Sequence, residues 1–355
     1  MKATHILITS AVLTLGEVAL VEPDGPDAAR GGAAWAQDGA QDGDDNGGGS
    51  DDGGGAARGG NGGGSDDGPR RMRRQVVPAV TVAPPPVAAA REIVVADLSA
   101  EALDRALAEG FSVLREDRLA ALGQTLTRLQ SPDGLSLEAA RDRVRLLPGG
   151  EDADLNHYYR PETGEAGQAE ACGHENCAEF GLIGWPADGA CQVSVPIGMI
   201  DTGVNAQHDI LASARLEVMR IADPASQAAT AVHGTAVSSL LVGGVDSRVP
   251  GLLPGAEVVA VDAFTRDAGD ERADVATLLV GLDLLVGRGI RVVNLSLAGP
   301  GNAVLAGVLD ALAKQDRVVI VAAAGNGGAA APAAWPAAHP GVIAVTAVDA
   351  RGRAY

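Results

Sequence analysis

The chain has 355 residues, 46% of them hydrophobic, which is enough to bury a sizeable core in two or three domains. Its formal net charge of −19 argues against a general nucleic-acid binder, which needs a basic patch. No apolar run reaches the roughly 18 residues that would suggest a membrane span.

The N-terminus reads as an export signal. Lys2 gives a minimal positive region, Ile6 to Leu15 is mostly apolar, and Ala34-Trp35-Ala36 is a small-x-small site before Gln37. Glu17, Glu22 and Asp24 make the stretch before that site long and acidic, and a disordered N-terminus is the alternative reading. Export from residues 1–36 would place the protein outside the cell or in the cell envelope. Residues 37–90 are Gly/Asp- and then Pro-rich, and Asn-Gly-Gly-Gly-Ser-Asp-Asp-Gly occurs at both 46–53 and 61–68. Such a segment has too little apolar surface to offset its ordering entropy, so a disordered linker is expected.

From Arg91 the character changes. Glu92 to Leu98 reads as a strand, and Ser99 is a fair N-cap for a helix through Glu109 that stops at Gly110. Phe111 to Leu114 and Gln124 to Leu129 read as strands, and Ser136 to Leu146 as a second helix ending before Pro148-Gly149. This β-α-β-β-α order is a ferredoxin-like pattern, a small α+β unit within residues 91–160. Residues 150–190 read as irregular and contain Cys172, Cys177 and Cys191. One disulfide, a Cys3His zinc site with His174, and free thiols all fit that spacing.

A clear α/β alternation follows from residue 181 onward. Strands are expected at Val193–Ile200, Glu257–Phe264, Ile290–Leu297, Val318–Ala324 and Val342–Val348. Helices are expected from near His233, at Val275–Val286 and at Ala303–Ala313. Strands that are apolar throughout, separated by helices, indicate a parallel sheet covered on both faces. In such sheets active sites gather at the carboxyl ends of the strands. Three polar signals sit there. Asp201 emerges from the strand Gly198-Met199-Ile200 and is followed by Thr202-Gly203. His233 opens a helix as His233-Gly234-Thr235. Asn326 follows a strand end between Gly325 and Gly327. Taken singly, each has a bland reading as a turn or cap residue.

Together, in this order, these motifs resemble the subtilisin-like serine proteases. The order Asp then His, 32 residues apart, with Ser expected later, is that of the family. Asp-Thr-Gly also marks aspartic proteases, but a single copy coupled to a His motif on an α/β chain fits them poorly. By the resemblance, Asp201 would orient His233, His233 would act as general base and then general acid, and Asn326 would donate to the oxyanion. Ser296, Leu297, Ala298 and Gly299 match the segment that pairs with an extended substrate, and Ala323, Ala324 and Gly325 match one wall of the primary specificity pocket. No cofactor is required. Calcium is common in the family, but no ligand set for it can be assigned. The expected partners are a polypeptide substrate and the chain's own 91–160 unit, which resembles the inhibitory pro-region of such precursors; its extended tail, near Asn156 to Pro161, would lie across the active-site cleft until cut. Residues 161–180 would form a junction between that pro-region and a catalytic domain over 181–355. The resemblance also implies a nucleophile within Gly-Thr-Ser-x-Ala, and no Gly-Thr-Ser occurs in residues 1–355. The chain is therefore read as the N-terminal part of the catalytic domain, with an incomplete sheet, inactive and poorly stable by itself; a non-catalytic pseudoprotease is the alternative.

Overall fold

The computed structural model of the protein describes residues 18–20, 84–162, 195–247, 250–315, 318–328 and 330–347. The expectations for the cysteines, His174, the low-complexity linker and most of the export signal lie outside these residues.

The N-terminal α+β unit forms as its sequence dictates. Its strands are β2 (Ala88–Ala96), β3 (Ser112–Leu119), β4 (Gln124–Gln130) and β5 (Asp154–Pro161), with helices α1 (Ala100–Ala108) and α2 (Leu137–Arg145). Ser99 Oγ accepts from Ala102 N at 3.1 Å and Ser136 Oγ from Ala139 N at 3.2 Å, so each helix starts on a serine cap. Gly110 closes α1 at φ +92, a conformation open to glycine and strained for other residues. The strand order β3-β4-β2-β5 is antiparallel throughout, the ferredoxin-like arrangement. Ile93, Val95, Ala106, Leu129, Val144 and Leu155 fill its core.

The sequence reading placed 150–190 in an irregular segment with an extended tail near Asn156 to Pro161, and the structure makes 154–161 a regular strand. β5 is a full strand that completes the βαββαβ unit. The missed signal has a physical cause. Asp154, Asn156 and His157 are buried polar residues, so no apolar alternation betrays the strand. β3 likewise runs on to Leu119 through solvent-facing Arg115 and Glu116.

The larger sheet runs in the order β1 (Val18–Leu20), β14 (Ile343–Ala347), β13 (Val319–Ala323), β11 (Val292–Leu295), β6 (Ile197–Asp201), β8 (Glu257–Asp262) and β7 (Arg215–Arg220). All neighbours are parallel except β1 on β14. Period-two alternation sends successive residues to opposite faces. Ile200, Val261, Val293 and Ile320 pack with α4 (Val275–Gly287) and α5 (Ala303–Lys314) on one face. Met199, Val258 and Val321 pack with α3 (Val232–Val242) on the other. The β7 strand was not anticipated, because Arg215, Glu217 and Arg220 interrupt its apolar pattern.

The α+β unit docks on this layer through β5 and through two helix starts. Asp154 Oδ2 accepts from Ala303 N at 2.8 Å, and Asn156 Oδ1 from Ala276 N at 3.2 Å. These are first-turn N–H groups of α5 and α4, which have no partner within their own helices. Asn302 Nδ2 donates to Leu155 O at 3.0 Å and contacts His157 Nδ1 at 3.1 Å.

Burial disfavours the charged form of His157; Asp154 opposes this and Arg141 adds to it, leaving the pKa below its ordinary 6.5. Protonation would place a second donor against the Asn302 amide. A depressed folded pKa gives stability that is present above the unfolded value and lost as pH falls. The urea midpoint of 1–355 is therefore expected to drop more between pH 7 and pH 5 in the natural chain than in His157→Gln. Equal slopes would contradict the assignment.

Candidate active site

Asp201 is the last residue of β6 and lies nearly inaccessible at the carboxyl end of the sheet. Its Oδ1 accepts from Thr202 N at 2.7 Å and pairs with His233 Nδ1 at 2.6 Å. His233 is the second residue of α3, and its side chain is also buried. The two sequence motifs interlock around this pair. Thr202 Oγ1 accepts from Gly234 N at 2.9 Å, and Thr235 Oγ1 accepts from Asn205 N at 2.8 Å. Gly234 is required by space: a Cβ there would lie 2.4 Å from Thr202 O and 2.7 Å from Gly203 O.

The other ring nitrogen, His233 Nε2, lies 3.1 Å from the main-chain carbonyl of Glu162. A neutral imidazole has one donor, and both partners here are acceptors, so the two contacts together select the imidazolium. Burial alone would lower the His233 pKa. The hydrogen bond and charge of Asp201, with the Glu162 carbonyl and carboxylate, outweigh it and hold the pKa above 6.5.

Glu162 reaches this point because β5 runs past its own sheet. Tyr158 and Tyr159 pair with Asp274 and Ala273 of β10 (Asp270–Asp274). Arg160 and Pro161 pair on the other side with Ala298 and Leu297 of β12 (Leu297–Ala298). Glu162 N then donates to Ser296 O at 3.1 Å. The end of β5 is thus an antiparallel middle strand, leading to a carbonyl that faces the imidazole. Burial raises the Glu162 carboxyl pKa, against the lowering effects of the Asn326 N–H and His233.

The structure brings the sequence-predicted residues to one cleft. Ser296, Leu297 and Ala298 border the end of β5. Gly299 bridges to Trp335, and a Cβ on it would lie 2.6 Å from Tyr159 Cδ1. Tyr159 is fully buried there, and its hydroxyl donates to Pro300 O at 2.8 Å. Ala323 ends β13, and Ala324 N donates to Val345 O. Gly325 turns the chain at φ +105 toward exposed Asn326, whose N–H meets the Glu162 carboxylate. Sequence reasoning expects an extended tail near Asn156 to Pro161 across the cleft; it missed the strands that pair with that tail and the place of Glu162. Two of the chain's three tyrosines are adjacent at Tyr158-Tyr159, a signal that was available. It also missed Asp262, at the end of β8 beside Asp201, which pairs with Arg220 at 2.8 Å. Among the described residues no group of three or more His, Cys, Asp or Glu is placed to hold a metal ion, and no helix is long and apolar enough to cross a membrane.

Comparisons with known proteins bear on the larger domain. Residues 193–355 match the model of the subtilase family. Minor extracellular protease Epr of Bacillus subtilis is 27% identical over 48% of this chain and 25% of its own length. Subtilisin DY of Bacillus licheniformis is 31% identical over 46% of this chain and 60% of its own. The crystal structure of fervidolysin from Fervidobacterium pennivorans, described as a keratinolytic enzyme related to subtilisin, superposes with a TM-score of 0.54. It covers 73% of this chain and 43% of its own, at 19% identity, and so shows the fold. The segment 193–355 is a subtilisin-like domain of the subtilase family, on an α/β fold. The chain spans less than two thirds of the length of each of these relatives.

Replacing Gly234 by Ala should be costly, because both clashes are with backbone. A loss of about 2 kcal/mol or more in unfolding free energy is expected from such overpacking, with the His233 imidazole NMR titration shifted toward that of a free histidine. A neutral substitution with an unchanged titration would show that the His233–Asp201 contact does not depend on this close approach.

Proposed function

We propose that this is an exported serine endopeptidase precursor in which Asp201, His233 and a serine outside residues 1–355 hydrolyse peptide bonds. The observation that carries the reading is the main-chain carbonyl of Glu162, held by an extended strand 3.1 Å from a histidine that Asp201 orients. A substrate bound in that way would present its carbonyl to the same ring. His233 Nε2 would take the serine proton as Oγ attacks the carbonyl carbon. Asn326 would donate its side-chain amide to the resulting oxyanion. The imidazolium would return the proton to the departing amine, and water would release the acyl group by the same two steps.

On this reading residues 91–160 are an intramolecular inhibitor, and β5 blocks the cleft until it is cut. Ser296 to Gly299 bind the substrate backbone, and Ala323 to Gly325 line the primary pocket. The signal-like residues 1–36 would direct the protein to the cell envelope or outside the cell. Calcium would be structural at most.

The first experiment is to sequence the source DNA through and past the codon for Tyr355. An in-frame Gly-Thr-Ser-x-Ala whose product hydrolyses peptides is the expected result, and a genuine stop would favour a non-catalytic binding protein. In the active product, His233→Ala should lower kcat by about 10⁶-fold, a magnitude carried over from subtilisin itself. Purified 1–355 should hydrolyse nothing; peptidase activity from it would sink the assigned roles.

A further inference from the structure

Arg160 is the third residue back from the Glu162 carbonyl, counting Glu162 as the first. Its backbone lies opposite Ala298 on β12, and its side chain reaches the hairpin of β9 (Thr265–Asp267) and β10. There Nε and Nη2 donate to Asp270 Oδ1 and Oδ2 at 2.7 and 2.9 Å, a bidentate pair in which both side chains are largely shielded. The Arg160 bond, ahead of Arg272, holds the Asp270 carboxyl below the usual carboxylate range.

The charges around Asp270 are unbalanced without that arginine. Arg272 donates to Asp270 at 2.8 Å and to Asp267 at 2.7 Å, and stacks over the Tyr158 ring at 4.3 Å. When β5 leaves the cleft, two carboxylates remain against one guanidinium. Both acceptors for the Arg160 fork belong to the hairpin and stay behind. The third Arg160 contact, to Pro86 O at 2.7 Å, leaves with the α+β unit. The planar fork of arginine suits two carboxylate oxygens in a way that a lysine ammonium does not.

We propose that Asp270 is a specificity-determining residue, selecting polypeptides with arginine at the third position before the scissile bond. The inference rests on the protease reading above. Glu or Asp at that position would meet two like charges, and an apolar residue would take the guanidinium from Asp270 Oδ1 and leave Oδ2 to Arg272 alone. The alternative is that the pair only fastens the α+β unit to the larger domain. Substrates that lack this unit separate the two.

The test uses the complete protein, with the sequence that follows Tyr355, and quenched fluorescent peptides built on Tyr-Arg-Pro-Glu with Arg, Lys, Ala or Glu in the second place. Arg is expected to exceed Ala in kcat/KM by about tenfold, the scale of a charged hydrogen-bonded pair that is partly exposed. Lys should fall between them, and Glu below both. Asp270→Asn should reduce the Arg preference to about twofold, and Asp270→Arg should favour Glu. Hydrolysis indifferent to this position in the natural protein would overturn the proposal and leave the protease reading intact. Failure to hydrolyse any peptide, these or unrelated ones, would overturn both. The peptide series needs no variant, so a misfolded Asp270 mutant does not blunt it.

Discussion

Strand β5 changes partners along its length to satisfy its backbone, and much of the architecture follows from how it does so. Its first half pairs with β2 and completes the small unit. Its second half lies between β10 and β12. Between these ladders, the N-terminal turns of α4 and α5 supply donors to Asn156 and Asp154, and Asn302 supplies one to Leu155. Helix starts carry unpaired N–H groups and a partial positive charge, so an acidic or amide side chain is their natural partner. The docking surface is consequently rich in directional polar bonds, which fix β5 in one register. Tyr159 adds the apolar anchor; full burial of such a ring contributes on the order of 2–3 kcal/mol.

A second constraint acts at the carboxyl end of the parallel sheet. Asp201 and His233 are both nearly inaccessible, and a buried charge is tolerated only where it is paired and hydrogen-bonded. The Thr202 N–H and the His233 ring meet that demand on Asp201 Oδ1. The threonine–glycine interlock ties the start of α3 to the loop after β6. Thr202, Gly234 and Thr235 are thus explained by packing and hydrogen bonding before any chemistry is invoked.

The sequence made the larger sheet and the Asp201, His233 and Asn326 positions legible for two separate reasons. Strands buried on both faces are apolar throughout, so period and punctuation suffice to find β6, β8, β11, β13 and β14. The site motifs are short and local, and each sits where a strand or helix ends. β7 was illegible by the same logic in reverse, and β5 was legible as an extended tail near Asn156 to Pro161 but not as a paired strand. Their side chains answer to distant partners, such as Asn302 for His157 and Glu257 for Arg215. Asp270 was invisible for that reason too. Its meaning depends on Arg160, 110 residues away in sequence, and on a pairing that no local pattern encodes.

The protonation of one ring nitrogen links docking to chemistry. While Glu162 O accepts from Nε2–H, His233 has no lone pair with which to take a proton. For the proposed reaction, the docked strand and the competent base are therefore mutually exclusive states. Linkage makes the relation reciprocal: the docked carbonyl raises the His233 pKa, so deprotonation must weaken docking by the same free energy. The sign follows from a pKa raised on docking. The contribution is fully present below the undocked pKa and is lost as pH rises through the docked one. His157 acts on folding stability with the opposite sign: burial holds its pKa down, so its contribution is lost as pH falls.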